Sequence, residues 1–221
     1  MGTMKALKRG AGAALFCGAL ASAFAQQAAD QFNINSQLVF AAKAGRIERV
    51  AALLGDGAAV NSRDRNGDSA LNMAARKGDE ALVDVLMRAG AEVNLANLAG
   101  VTPLMAAAFG GNAPIVRKLI MAGAQIAPVD RVKKNAAVYA AGNGCRDCLV
   151  ELLRAGTQVN ARMDNDETLL MWAAGYGQYS TVELLLEQGA DCSLKDNRGK
   201  TAVDIAREGS YTAVVNLLEQ C

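Results

Sequence analysis

Histidine is missing altogether from this 221-residue chain. Its absence excludes Ser-His-Asp and Cys-His catalysis, histidine-bearing zinc sites, imidazole acid–base chemistry and c-type haem attachment through CxxCH. Aromatic residues make up only 5% and prolines number 3, although 52% of the chain is apolar. Alanine and leucine therefore supply most of the apolar mass, a composition that suits closely packed helices and not a β-sandwich. No sign of charge dominates: 23 Lys and Arg against 22 Asp and Glu leave +1, without the footprint of a nucleic-acid binder. So apolar a chain is not generally disordered. Glycine, with 22 residues, is plentiful and punctuates the helical runs.

The first 25 residues read as an export signal. Lys5, Lys8 and Arg9 form a basic start with no acidic residue before Asp30, and Ala11 to Ala21 is an uncharged, mostly apolar run. Ala23-Phe24-Ala25 then offers a small-x-small cleavage site before Gln26. The run is shorter than the roughly 20 apolar residues of a membrane span. Phe16 argues against lipidation of Cys17, and Ala6 against myristoylation at Gly2. The short, basic start and the cleavage site look bacterial, so the expected destination is the periplasm, with secretion as the alternative. Cleavage would remove three basic residues and no acidic one, turning +1 into −2. It would also leave Cys145, Cys148, Cys192 and Cys221 in a compartment that permits disulfides. Residues 26–32 read as a polar leader.

From there the chain repeats. Segments starting at Asp64, Asn97, Asp130, Met163 and Asp196 align at a constant offset of 33 residues. Gly67, Gly100 and Gly199 share a column, as do Ser69, Thr102, Thr168 and Thr201. Paired alanines (74–75, 107–108, 140–141, 173–174) are followed by a glycine column (78, 111, 144, 177). Leucine-rich pairs and a Gly-Ala or Gly-Thr ending close each unit. Hydroxyl residues are placed to cap a first helix, alanines to let it approach its partner, glycine to break it, and leucines to bury a second helix. No such unit covers its own apolar face, so stability must come from stacking.

The columns resemble the ankyrin repeat, clearly so in Gly100-Val101-Thr102-Pro103-Leu104 and in Leu184-Leu185-Leu186-Glu187-Gln188-Gly189-Ala190-Asp191. The resemblance covers residues 33–221 and implies an all-α solenoid of six stacked helix-turn-helix units with short hairpin fingers. The units run approximately 33–63 (N-terminal cap), 64–96, 97–129, 130–162, 163–195 and 196–221 (C-terminal cap). Two departures stand out. The family's histidine column reads Asn72, Met105, Val138, Met171 and Asp204, so the hydrogen bonds of that histidine must be absent or replaced. Lys133-Lys134-Asn135 replaces Gly-x-Thr, so the finger at 130–134 is expected to be distorted or looser than its neighbours.

Such stacks resemble a cupped hand that meets partners through finger tips and inner helices. The resemblance therefore nominates Arg76, Lys77, Leu98, Val101, Phe109, Val132, Lys134, Asp164, Glu167 and Tyr176 as a partner-binding face, apolar at its centre and charged at its rim. Trp172 and the methionines at 73, 105 and 171 are expected to be packing residues. The implied function is non-catalytic binding of an unidentified protein by a chain monomeric on its own, with no cofactor, no metal, no nucleic acid and no stable membrane insertion after cleavage.

Cys145 and Cys148 form a CxxC at a helix start, where a thiolate is stabilised and a disulfide is within reach. Three readings stand: a structural disulfide, reduced packing cysteines, and a thiol-dependent redox or soft-metal factor, which is the alternative function. Arg146 is placed to favour the thiolate. Cys148 stands in a column with Leu82 and Ile115, and Cys192 in one with Val60, Val93 and Val159, which points to burial. A Cys192–Cys221 bridge would tie down the last unit, but four cysteines allow three pairings.

Overall fold

A computed structural model of the protein describes residue 30 and residues 33–221. The export-signal reading of 1–25, and the polar leader apart from Asp30, lie outside the described residues. The helices are α1 (33–43), α2 (Ile47–Gly55), α3 (Ala70–Lys77), α4 (Glu80–Arg88), α5 (Pro103–Phe109), α6 (Ala113–Met121), α7 (Ala136–Gly142), α8 (Arg146–Arg154), α9 (Leu169–Gly175), α10 (Tyr179–Glu187), α11 (Ala202–Glu208) and α12 (Thr212–Leu218). Among the described residues there is no strand, and no helix is long and apolar enough to cross a membrane.

The inner helices begin where the capping column places them. Ser69, Thr102, Asn135, Thr168 and Thr201 each accept the backbone N–H three residues on, a bond worth about 1 kcal/mol per cap. All four alanine pairs are fully buried. Their small side chains let α3, α5, α7, α9 and α11 stack in sequence as one layer, with α2, α4, α6, α8, α10 and α12 as the other. Between the layers lie Leu82, Val83 and Leu86 of α4, Ile115, Val116 and Leu119 of α6, and Cys148, Leu149 and Leu152 of α8. Each buried leucine or isoleucine contributes about 2 kcal/mol relative to exposure.

Polar braces join successive helix pairs. Asn61, Asn94 and Asn160 each use the side-chain amide to bond the loop one repeat ahead, at Glu92, at Gly123 and Gln125, and at Gly189 and Asp191. Ala127, in the same column, has no amide, so this bond is lost at that junction. The histidine column is filled piecemeal. Asn72 donates across the repeat to the Val101 carbonyl at 2.9 Å, and Asp204 accepts from the backbone and hydroxyl of Thr201. Met105 and Val138 bring no donor and are buried instead.

The expectation for the finger at 130–134 is overturned. Asp130 Oδ1 accepts the N–H groups of Val132 and Lys134, as Asp64, Asn97 and Asp196 do at their own fingers. Lys133 adopts the left-handed conformation of the glycine column, φ 63°, and the turn closes normally. The irregular finger is the next one. Met163 replaces the capping Asp or Asn, and Asp164–Asp166 winds into a 3-10 turn with Asn165 and Asp166 both at positive φ. The side chain at the head of the finger therefore matters more than the glycine in it.

The C-terminal pair is closed by Arg207–Glu219 at 2.6 Å and by a disulfide between Cys192 and Cys221, Cα atoms 6.4 Å apart. Cys192 is partly buried and packs on the core just as Val60, Val93 and Val159 do in its column, and through the bridge it also anchors the terminus.

Candidate binding face

In the middle of the solenoid four aromatic side chains from successive repeats pair. Phe109 at the end of α5 stands edge-on to Tyr139 of α7, ring centres 5.6 Å apart. Trp172 of α9 stacks on Tyr176 at 6.1 Å. Lys134 bridges the two pairs, its ammonium 4.5 Å from the Trp172 ring centre and 5.9 Å from that of Tyr139, a cation–π geometry. The column of Phe109 continues as Gly142 and Gly175. A Cβ on Gly142 would lie 3.5 Å from the Tyr176 ring, so Tyr176 lies directly on that bare backbone. Gly67 does the same for Leu98: at φ 76°, any Cβ there would stand 2.9 Å from the Leu98 side chain.

Four of the nominated apolar residues are exposed: Leu98 (56% exposed), Phe109 (51%), Val132 (65%) and Tyr176 (52%). Val101 does not belong with them. It is partly buried, packs on the core, and lends its carbonyl to Asn72. Arg76 is exposed and 4.0 Å from Asp68, and Lys77 donates to the Lys43 carbonyl. With Lys43, Asp64, Asn66, Asp68 and Met73 they line a shallow cleft of about 200 Å³. On the other side, Asp164 is exposed, but Glu167 is half-buried and 4.0 Å from Arg198, which also holds Asp196 at 2.6 Å. Burial holds the Glu167 carboxyl above its ordinary range, against the opposing pull of Arg198. The acidic rim expected from Asp164 and Glu167 is thus largely Asp164 alone.

Trp172 packs as expected and has a second contact surface. It packs partly on the core, yet its ring also forms the floor of the face beneath Lys134 and Tyr176, and its indole N–H is buried without a partner. Tyr139 was missed by sequence reasoning, as was the role of Asp130. The phenol of Tyr139 donates to Asp130 Oδ2, and burial together with that carboxylate pushes its ionisation well above the usual range. The available signal was the column Met73, Ala106, Tyr139, Trp172, Ile205, which turns aromatic in two successive units. Met105 and Met171 are buried, as expected of packing residues, and Met171 Sδ also accepts the Thr168 N–H.

Larger grooves run along the outer helices. One of about 650 Å³ lies between α4 and α6, but Lys118 crosses it to Asp84 at 2.8 Å, and Arg117 pairs with Glu151 in the next. Neither groove gathers a nucleophile and a base. Cys145 and Cys148 are joined as a disulfide, Cα atoms 5.2 Å apart. Among the described residues no three Cys, Asp or Glu side chains converge as a metal-binding set.

A search of the curated proteins returns no match to this chain. The family model described as ankyrin repeats (3 copies) matches residues 38–130 and again 136–221. The five residues between the two matches, 131–135, include Lys133 and Asn135, where the finger departs from the repeat pattern yet keeps its fold. The repeat columns, the two-layered helix stack and the capped fingers all agree with that match: the chain belongs to the ankyrin-repeat family.

Proposed function

We propose that this protein is a non-catalytic binding module that works in the periplasm and holds a partner protein against its concave face. Ankyrin repeats are in general protein–protein interaction modules, and the family is typically non-catalytic. The observation that carries the reading is the exposed group of Leu98, Phe109, Val132 and Tyr176 above the Tyr139–Lys134–Trp172 floor. A monomer seldom exposes so many large apolar side chains together unless they are covered in use. Phe109 and Tyr176 are the anchors, since aromatic side chains carry much of the energy at interface centres. Arg76 and Lys77 on one side and Asp164 on the other supply a rim of opposite signs.

The test is cross-linking in the periplasm of a Gram-negative host, comparing wild type, Phe109→Asp with Tyr176→Ala, and Cys145→Ser with Cys148→Ser. The expected result is one discrete adduct in wild type and the cysteine variant, lost in the face variant while its helical circular dichroism is retained. An adduct that survives the face substitutions overturns the binding face. The mass of the exported chain, expected to begin at Gln26, checks the localisation separately, and retention in the cytoplasm overturns it.

A further inference from the structure

The Cys145–Cys148 bridge does little that a structural disulfide would do. It spans a sequence separation of only three residues, against 29 for Cys192–Cys221, so it hardly constrains the unfolded chain. Nor does its position brace the stack. In the same column Asn112 donates to the Ala75 and Arg76 carbonyls and Gln178 to the Gly142 carbonyl; at Cys145 the corresponding link, to Phe109, comes from Asn143. The inner helices are therefore tied together whether or not the bridge is closed.

The two sulfurs sit in different surroundings. Cys148 is fully buried among the leucines of α8, while Cys145 is partly exposed as the N-cap residue of that nine-residue helix. Cys145 Sγ accepts the Cys148 N–H at 3.2 Å. Two repeats earlier in the same column, Asp79 places a carboxylate oxygen 3.0 Å from the equivalent N–H of Leu82. The repeat thus accommodates a carboxylate at the position equivalent to that of a Cys145 thiolate. Arg146 takes no part, because its guanidinium pairs with Glu187 at 3.1 Å.

We propose that Cys145–Cys148 is an exchangeable disulfide that accepts two electrons from a dithiol, beyond and independent of the binding role. One thiolate of the dithiol attacks Cys145 Sγ and forms a mixed disulfide. The Cys145–Cys148 bond breaks with its electron pair on Cys148, which takes up a proton in its buried apolar place. The second thiolate of the dithiol then attacks its own sulfur in the mixed disulfide, and Cys145 leaves as a thiolate held by the Cys148 N–H. The dithiol is oxidised to a disulfide, losing one proton to Cys148 and one to solvent.

The experiment titrates the purified protein with mixtures of reduced and oxidised glutathione, quenches by alkylation and maps each cysteine by mass. Tryptic cleavage after Arg146 puts Cys145 and Cys148 on separate peptides. Expected is opening of Cys145–Cys148 at a reduced-glutathione level at least about tenfold below that needed for Cys192–Cys221, with the helical spectrum unchanged. In Cys148→Ala, the Cys145 thiol should react with 5,5′-dithiobis(2-nitrobenzoate) at pH 6 at least about tenfold faster than in urea. A bridge that opens only as the protein unfolds, or a Cys145 thiol no faster folded than unfolded, overturns the proposal. The titration of wild type decides alone if Cys148→Ala does not fold.

Discussion

The phenol of Tyr139 donates to Asp130 Oδ2 at 2.5 Å, while Oδ1 of the same carboxylate accepts the N–H groups of Val132 and Lys134. One side chain therefore closes a finger and fastens it to inner helix α7, beneath the exposed aromatic group. This explains why a finger with lysine in its glycine column closes with the same hydrogen bonds as the others. Asp130 itself is 5% exposed, so its carboxylate depends on these donors.

Tyr139→Phe removes the phenol donor from that carboxylate and should lower stability by about 1.5–3 kcal/mol, the range for hydrogen bonds to charged groups. The urea midpoint checks it. Burial of the phenol, together with the same bond, gives a pH dependence. The folded-state ionisation of Tyr139 lies above the ordinary phenol value of about 10, so its contribution is complete below that pH and is lost as pH rises through the folded value. The difference in alkaline stability between wild type and Tyr139→Phe should therefore shrink only above pH about 10.

Lys133 pays a left-handed penalty of about 1–2 kcal/mol that glycine avoids in the same column at Gly67, Gly100 and Gly199. Lys133→Gly should raise the thermal midpoint, with the 130–134 finger otherwise unchanged, because Asp130 already holds the turn. Thermal unfolding followed by circular dichroism checks the direction. A lower midpoint would mean that the Lys133 side chain contributes contacts that outweigh its backbone conformation.

Cys221→Ser opens the terminal bridge and releases a loop with a sequence separation of 29 residues. The chain-entropy estimate for such a loop is about 3–4 kcal/mol. The loss should concentrate in α12, which is stacked on one side only, and appear as faster amide exchange at Val214 and Leu218 with little change in α4 or α6. Uniform acceleration along the chain would show that the solenoid unfolds as a single unit.

How much of this was legible in advance follows from where the controlling interactions lie. The caps at Ser69, Thr102, Thr168 and Thr201, the buried alanine pairs and the leucine-rich outer helices repeat every 33 residues. Each acts within its own unit or on an identical neighbour, so periodicity alone exposes them. The glycine column by itself predicts a distorted or looser finger at 130–134. The aspartate or asparagine three residues earlier governs the turn, and only Met163 breaks that rule. Trp172 packs on the core as its place beside the alanines predicts, but its contacts with Lys134 and Tyr176 cross between columns and leave no periodic signal.

By itself, then, the amino-acid sequence determined the repeat, the helix boundaries, the buried stripe and the family, since these rest on short-range chemistry copied from unit to unit. Only the tertiary structure decided which side chains of different repeats meet. Phe109, Lys134, Tyr139, Trp172 and Tyr176 come from three different repeats and meet because the stack brings their columns together. It also chose the disulfide pairing among three, joining Cys192 to Cys221 across a whole helix pair. Contacts between units depend on how neighbouring backbones pack, and that is a property of the assembled stack that no single repeat contains.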